Sequence, residues 1–207
     1  MIKLYSPSML KTFEVCPRKF NFKFNEHINM PVNDDIFEFG KNIHALASYY
    51  LRGENIDRME ASLTSKETEI WQYLKGIKYF SYSVVNTEYN LSVKIGNHFF
   101  GGRLDALVKD GDKYYILDYK TGNAPQNPKY EFQTMIYMLA VKEFFKTNDV
   151  TFVYLDLKNK TEVAIELSPE LEKEYIKKLE DTADRIESKD FRKNGNNCEC
   201  EYSIICY

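Results

Sequence analysis

The segment 101–122, GGRLDALVKDGDKYYILDYKTG, constrains the fold more than any other part of the chain. Two stretches within it, 103–108 and 114–119, are rich in β-branched, aromatic and aliphatic residues. The dipeptide Asp110-Gly111 between them is a strong signal for a two-residue turn. The segment therefore predicts a β-hairpin, and the rest of the fold has to be built around its two strands.

Two aspartates and a lysine of this hairpin are predicted to share one face. With the turn at Asp110-Gly111, Asp105 lies opposite Ile116. Because alternate side chains of a strand share a face, Asp118 and Lys120 then lie on the same face as Asp105. The two carboxylates are diagonal to each other across the strands. A three-residue turn would instead separate them onto opposite faces, so the prediction depends on the register.

This set of side chains suits metal-assisted hydrolysis of phosphodiester bonds. Carboxylate oxygens bind Mg²⁺ or Mn²⁺, and the bound metal generates hydroxide and neutralises phosphate charge. A lysine adds positive charge near the attacking water. The alternative is a solvated polar face, because an aspartate two positions before a lysine is a common pattern.

The two strands also carry family motifs. GGRLD on the first strand and DYKTG on the second resemble the core of the PD-(D/E)XK nucleases, specifically their RecB-like branch. The resemblance implies an α/β fold with a restriction-endonuclease-like core, in which a small mixed β-sheet is flanked by helices. It also implies that Asp105, Asp118 and Lys120 are catalytic.

The metal ligands that the resemblance implies are Asp105, Asp118, the backbone carbonyl of Tyr119, and His44. The histidine lies in the predicted helix 37–51, where Gly40 and His44 match a G-x-x-x-H pattern of RecB-like nucleases. Without the resemblance, a lone helical histidine is more often a core or surface residue than a ligand. Imidazole is a better ligand for Mn²⁺ than for Mg²⁺, so His44 favours the use of Mn²⁺.

Two residues of the predicted helix 129–146 are candidates for DNA binding. Gln133 and Tyr137 are four positions apart, hence on one helix face, and match the Q-x-x-x-Y that RecB-like nucleases place beside the active site. Gln133 can bond phosphate or bound water, and Tyr137 can stack on a base or hold the backbone. The alternative for Tyr137 is packing against the sheet. Glu88, in the predicted strand 84–95, is assigned a secondary role in orienting the site.

The cysteines are confined to the two ends of the chain: Cys16, Cys198, Cys200 and Cys206. Ser6-Pro7 predicts a helix start, and Pro17 predicts a break at Cys16 between two short helices. In a cytosolic chain, clustered cysteines indicate metal binding rather than disulfides. Four thiolates suit either a [4Fe–4S] cluster or tetrahedral Zn²⁺.

The cysteine layout is similar to the iron–sulfur clasp of RecB-like nucleases, where one N-terminal cysteine joins a C-terminal trio. This resemblance implies a [4Fe–4S] cluster that holds the two ends of the chain together. The family usually has two residues between the first pair of the trio and five before the last. Five residues separate Cys200 from Cys206 here, but only one separates Cys198 from Cys200. The spacing thus departs from the family at Cys198, and zinc stays the alternative.

The length of 207 residues suits a single domain, 1–207. Its predicted parts are an N-terminal helical part at about 1–83, a nuclease core at about 84–167, and a C-terminal helix with the cysteine clasp at 168–207. Within these parts we also predict a helix over 65–82, strands over 150–157 and 162–167, and a charged helix over 168–189.

Composition restricts the environment and the partners. No apolar run approaches the ~20 residues needed to span a bilayer, so no membrane association is expected and the cytoplasm is the predicted location. The net charge of −3 gives no overall signal for nucleic acid, so a DNA site has to be local. Lysines and arginines concentrated in the first 24 residues are one candidate, or else a solvated helix face.

Together these features predict a metal-dependent DNA exonuclease acting on single-stranded ends. The small stand-alone size resembles the CRISPR-adaptation nucleases, and DNA recombination or repair is the other setting. Expected partners are DNA and an integrase or helicase complex. The alternatives are a non-catalytic DNA-end-binding subunit, which should have lost part of the Asp105, Asp118 and Lys120 set, and a metal-bound structural or redox-sensing protein.

Overall fold

The structure, a computed structural model, describes residues 4–30, 38–122, 124–193 and 200–206. Its centre is a five-stranded mixed sheet with the strands in sequential order. The strands are β1 (Ser83–Ile95), β2 (His98–Asp110), β3 (Lys113–Lys120), β4 (Val150–Asp156) and β5 (Thr161–Glu166). Neighbouring strands are antiparallel except β3 and β4, which are parallel. No helix in the described ranges is long and apolar enough to cross a membrane.

Seven α-helices surround the sheet within the described ranges. They are α1 (Pro7–Val15), α2 (Pro17–Phe20), α3 (Glu38–Leu51), α4 (Asp57–Ala61), α5 (Ser65–Gly76), α6 (Phe132–Phe145) and α7 (Pro169–Glu187). The predicted start at Ser6-Pro7 is confirmed, because the Ser6 hydroxyl accepts a hydrogen bond from Met9 N at 3.3 Å. The break at Cys16 is also confirmed: this residue is extended, with φ −161°, between α1 and α2.

Helix α6 makes the crossover between the parallel strands β3 and β4. Parallel neighbours cannot be joined by a tight turn, so the chain has to pass over one face of the sheet. Most of α6 is buried, from Phe132 to Val141, because it lies between the sheet and the helices α1 and α7. A helix that is apolar around most of its circumference is suited to this position.

The sheet separates two hydrophobic cores. One contains residues of α1, α6 and α7, and the other contains residues of α3 and α5. Leu104 belongs to the first core and Ala106 to the second, although strict alternation would place both on one side. Strand β2 therefore changes its orientation at Asp105. Opposite this point in the register lies Glu88, whose φ of 49° is in the left-handed region.

The hairpin of β2 and β3 is confirmed, but its register is not the predicted one. The pairing runs from Asp110 with Lys113 to Ala106 with Leu117, so the turn is Gly111-Asp112 and Gly111 adopts φ 57°. The physical reason is core packing: this register places Leu107 opposite Ile116, and both are 0% exposed in the same core.

The turn keeps its length of two residues, so strict alternation would still place Asp105 on the face of Asp118 and Lys120. Because β2 changes its orientation at Asp105, alternation does not extend to this residue. In the observed register Asp105, which precedes Ala106, falls opposite Asp118 rather than diagonal to it. Two predicted helices are also shorter than expected. Helix α5 ends at Gly76 and is followed by a 3₁₀ turn at Lys78–Ser81, and a second 3₁₀ turn, Pro128–Tyr130, precedes α6.

Candidate active site

Asp105 ends the pairing of β2 with β3. The last backbone pair of the two strands is Ala106 with Leu117. Next to it, Tyr119 N donates a hydrogen bond to the side-chain oxygen Asp105 Oδ2 at 2.9 Å, where a regular ladder would have a backbone carbonyl. The other oxygen, Oδ1, lies 3.3 Å from Nδ1 of His44. One oxygen of Asp105 thus holds the two strands at a fixed separation, and the other faces the candidate site.

His44, on α3, reaches across to the end of β3. Its Nε2 lies 2.9 Å from the carbonyl oxygen of Tyr119. The imidazole therefore bridges Asp105 and the Tyr119 carbonyl, two of the predicted metal ligands. Burial lowers the pKa of His44, but the hydrogen bond and negative charge of Asp105 outweigh this effect, so the pKa is raised above its usual value.

Asp118, Lys120 and Gln133 form a closed set of contacts. Asp118 is 3% exposed, and its Oδ1 accepts a hydrogen bond from the Gln133 amide. Lys120 Nζ lies 2.7 Å from Asp118 Oδ2 and donates to Gln133 Oε1 at 3.3 Å. Burial raises the pKa of the Asp118 carboxyl, the charge of Asp105 raises it further, and Lys120 opposes both.

Glu88, predicted only to orient the site, lies among its potential metal ligands. Single ligand atoms of His44, Glu88 and Asp105 all lie within 4.8 Å of one another. The left-handed backbone at Glu88 sits directly across from Asp105, at the point where the strands change orientation. Its Oε2 also lies 2.9 Å from Nε of Arg103. The sequence signal was an acidic residue on the strand before the hairpin, but its direction depends on a backbone conformation that no motif encodes.

The donor atoms at this site fit a hard divalent cation. Carboxylate oxygens are the preferred ligands of Mg²⁺, and an added imidazole suits Mn²⁺. Asp118 Oδ2 is buried without a hydrogen bond of proper geometry, despite its short contact with Lys120. His44, Glu88 and Asp105 are the described side chains whose ligand atoms lie close enough together to hold one ion. Asp118 is not part of that group, and its buried oxygen is paired with Lys120.

Tyr137 packs inside the protein. It is 4% exposed, and its hydroxyl donates a hydrogen bond to the carbonyl of Arg103 at 2.8 Å. Gly102 makes room for this contact, because a Cβ at that position would lie 2.7 Å from the Tyr137 hydroxyl oxygen. This burial favours the packing role over base stacking. Of the two residues predicted to bind DNA, Gln133 alone contacts the predicted catalytic residues.

The cysteine cluster is not shown within the described residues. Cys16 is buried, Cys200 and Cys206 are partly exposed, and Cys198 lies outside the described ranges. In those ranges no three cysteine sulfur atoms come within 4.8 Å of one another. The C-terminal segment nevertheless packs on the N-terminal helices. The Tyr202 hydroxyl donates to the Ile28 carbonyl at 2.8 Å, and the Tyr202 ring stacks on Phe22 with centroids 5.6 Å apart.

Two of the N-terminal cations form ion pairs within the protein. Lys11 pairs with Glu131 at 2.8 Å, and Lys19 pairs with Glu201 at 2.9 Å. These contacts favour the solvated-face interpretation of the basic cluster over a dedicated DNA surface.

The sheet thus carries two carboxylates and a lysine, with an imidazole beside them, at the end of the hairpin away from its turn. The chain belongs to the PD-(D/E)XK nuclease superfamily, whose family profile matches residues 4–82 and 57–207. The predicted α/β class and the family resemblance are thereby confirmed.

Individual relatives agree with this membership. The uncharacterised protein UU146 of Ureaplasma parvum serovar 3 is 25% identical over 187 residues, or 85% of this chain and 84% of that protein. The CRISPR-associated exonuclease Cas4 of Francisella tularensis subsp. novicida is 28% identical over 123 residues, 57% of this chain and 61% of Cas4. The solved structure of a "putative exonuclease" from Eubacterium rectale matches with a TM-score of 0.65 at 13% identity, covering 96% of this chain and 86% of that one. This last likeness concerns the fold alone.

Proposed function

We propose that this chain is a divalent-metal-dependent deoxyribonuclease that acts as an exonuclease on single-stranded DNA ends. The observation that carries the proposal is that two pairs meet at the end of the hairpin. Asp118 lies 2.7 Å from Lys120 and Asp105 lies 3.3 Å from His44, and the charge of Asp105 acts on Asp118. The family membership and the similarity to a Cas4 exonuclease support it. A non-catalytic end-binding subunit would have no need for the complete set.

The residues have separate roles in this proposal. Asp105, Asp118, Glu88, His44 and the Tyr119 carbonyl would hold Mg²⁺ or Mn²⁺. When bound, such an ion supplies Lewis acidity toward the phosphate and lowers the pKa of its water. Lys120 places an ammonium beside the phosphate site, where it offsets developing negative charge. Gln133 fixes the relative positions of Asp118 and Lys120 through its two hydrogen bonds.

The biological setting of the proposal follows the Cas4 relative. We place the nuclease in CRISPR adaptation, with DNA recombination or repair as the second setting. Its partner would be an integrase in the first setting and a helicase in the second. Similarity to Cas4 over 57% of this chain supports the first setting.

The proposal predicts that Asp118→Asn and Lys120→Ala each lower cleavage of linear single-stranded DNA by roughly 10²- to 10³-fold. The measurement is a time course on end-labelled DNA in Mg²⁺ and in Mn²⁺, with unfolding temperatures as a check of folding. Lys113→Ala is the matched control, because Lys113 lies on the same strand but pairs with Glu166 at the surface. It should cleave at the wild-type rate.

Different outcomes would contradict different parts of the proposal. Wild-type activity in Asp118→Asn would show that Asp118 is not part of the catalytic site. Equal cleavage of circular and linear single strands would show an endonuclease. Tight binding of DNA ends without any cleavage in either metal would support the end-binding subunit instead.

We also propose that Cys16, Cys198, Cys200 and Cys206 bind a [4Fe–4S] cluster, with Zn²⁺ as the alternative. The support is the confinement of cysteines to two chain ends that lie against each other. Anaerobically purified protein should be coloured and contain iron and sulfide, because thiolate-bound clusters absorb visible light. Cys16→Ser should lose the metal and lower the unfolding temperature. Metal analysis that finds neither iron nor zinc would contradict the proposal, and would leave the nuclease assignment intact.

A further inference from the structure

Two cavities flank the candidate active site, and Arg103 lines both. One, of about 550 Å³, lies between α1, α6 and the strands and contains Lys120 and Gln133. The other, of about 490 Å³, lies between α3 and the hairpin of β1 and β2, with His44 and Asp105 among its lining residues. Both volumes are in the range of ordinary ligand sites. The second cavity contains side chains that the proposed hydrolysis does not use.

Three cations line this second cavity. Lys41 lies on α3, Arg52 directly follows the end of α3, and Arg103 comes from β2. Lys41 is exposed and forms no ion pair with any residue in the described ranges. Phosphate approaching Glu88 and Asp105 is repelled by their carboxylates, so cations on the surrounding wall offset that repulsion. The distribution of charge in this cavity therefore suits a phosphodiester chain.

Tyr49 provides an aromatic surface in the same cavity. It is 37% exposed, and the Arg52 guanidinium lies 4.7 Å from its ring centroid. Arg52 is held by Glu54 at 2.7 Å and by the Ser48 hydroxyl at 3.2 Å. An exposed ring, fixed by a cation and set among other cations, is the usual platform for an unpaired base.

Arg103 is placed to contact phosphate beside the metal group. Its side chain is 64% exposed, and its Nε lies 2.9 Å from Glu88 Oε2. Glu88 thus orients the guanidinium toward the site. The planar guanidinium carries five N–H donors in a fixed fork, which matches phosphate oxygens. Its other donors form no hydrogen bond with a residue of the described ranges.

The cavity has one wall that is fixed to the sheet. The Ser48 hydroxyl, on α3, donates to Thr87 Oγ1 on β1 at 2.8 Å, in a buried contact. Tyr49 is the neighbour of Ser48 on α3, and Arg52 donates to the Ser48 hydroxyl at 3.2 Å, so this contact with the sheet helps to set the positions of both. A fixed wall of this kind is suited to positioning a strand relative to the reacting phosphate.

We propose that this cavity is a nucleotide subsite for the single strand next to the scissile phosphate. Arg103 and Lys41 contact its phosphates, and Tyr49, held by Arg52, stacks on one unpaired base. This inference rests on the proposed function. It adds that the DNA strand is bound in the cavity between α3 and the hairpin of β1 and β2.

The test measures binding without cleavage. Anisotropy of a fluorescein-labelled single-stranded oligothymidine is titrated with Ca²⁺ replacing Mg²⁺, over a series of salt concentrations. Tyr49→Ala should weaken binding roughly tenfold, whereas Tyr49→Phe should bind as the wild type does, because the ring is retained. Arg103→Ala should reduce the slope of log affinity against log salt by about 0.7, the value for one phosphate contact on a single strand.

Matched controls separate these effects from a general loss of folding or charge. Phe99→Ala removes another exposed ring with a cation above it, Lys94 at 5.9 Å, at the opposite end of the β1–β2 hairpin. Arg58→Ala removes an exposed arginine on α4. If Tyr49→Ala and Arg103→Ala bind like these controls, the subsite is wrong while the nuclease proposal stands. If the wild-type protein binds no DNA, both proposals are overturned.

Discussion

At the scale of single residues, Gly40 shows how a missing side chain shapes the active site. A Cβ at Gly40 would lie 2.8 Å from Oγ1 of Thr121, the residue that follows Lys120. A side chain at this position would therefore require the Thr121 side chain or helix α3 to shift. His44 lies one helical turn after Gly40, and the close approach of α3 to β3 allows it to contact Tyr119 and Asp105. The G-x-x-x-H pattern has a steric explanation in this contact.

Gly40→Ala should lower cleavage about tenfold, because a 1 Å displacement of positioned groups costs catalytic rate. The unfolding temperature should stay the same or rise, since alanine is the better helix former by about 0.5–1 kcal/mol. Gly76→Ala is the matched control, because a Cβ at Gly76, the last residue of α5, meets no atom within 4 Å. Equal activity of the two variants would contradict the steric explanation.

The residues that could be predicted from the sequence are those whose chemistry is tied to a motif. Asp105, Asp118, Lys120 and His44 belong to this group, and the structure brings them together. The contribution of Glu88 could not be predicted, because it depends on a left-handed backbone inside a strand. Packing of Tyr137 against the sheet was one of two alternatives from the sequence, and the choice between them depends on the distance between α6 and β2.

At the scale of elements, the hairpin register shows the limit of turn signals. Both Asp110-Gly111 and Gly111-Asp112 contain residues that favour tight turns. The choice between them is made by the core, where Leu107 and Ile116 bury each other. The free energy gained by burying these two side chains depends on the helices packed against the sheet, so a local sequence pattern does not report it. Period-2 alternation holds from Ala106 to Val108 in either register, because both turns have the same length, but it fails at Asp105, where β2 changes its orientation.

A capping box connects α5 to the helix that carries His44. Thr64 N donates to Glu67 Oε2 at 2.9 Å, and Glu67 N donates to Thr64 Oγ1 at 3.3 Å. The other Glu67 oxygen accepts from Asn42 on α3 at 3.1 Å. The start of α5 thus holds α3 from the side opposite the sheet contact of Ser48.

Thr64→Ala should lower stability by about 1 kcal/mol, or the unfolding temperature by about 2–4 °C, at neutral pH. Hydrogen bonds from the Thr64 side chain and backbone lower the pKa of Glu67 below 4.5. A lowered pKa means that ionised Glu67 stabilises the fold above pH 4.5, and that this contribution is lost as the pH falls further.

The difference between Thr64→Ala and the wild type should therefore shrink in acid, which thermal unfolding at neutral pH and at low pH would measure. Thr68→Ala is the control, because its hydroxyl bonds only the backbone carbonyl of Thr64. A difference that stays constant with pH would argue against the role of the ionised Glu67.

At the scale of the whole molecule, the C-terminal segment 200–206 lies against the N-terminal helices. Lys19 pairs with Glu201, and Tyr202 contacts both Phe22 and the Ile28 carbonyl. The position of the cysteines predicted this proximity, because a shared metal requires the ends to meet. The metal centre itself stays a prediction, since Cys198 falls outside the described ranges. Sequence spacing alone does not determine how closely thiolates converge.

The crossover between β3 and β4 also orders events during synthesis. Asp105, Asp118 and Lys120 leave the ribosome before Gln133, which contacts both Asp118 and Lys120. Strand β4 follows later, and Leu157 N then donates to the Lys120 carbonyl at 3.0 Å. A growing chain therefore carries every motif residue of the hairpin while lacking the contacts that hold Lys120 in place. The contacts that hold Lys120 are therefore complete only once the chain has been synthesised as far as Leu157.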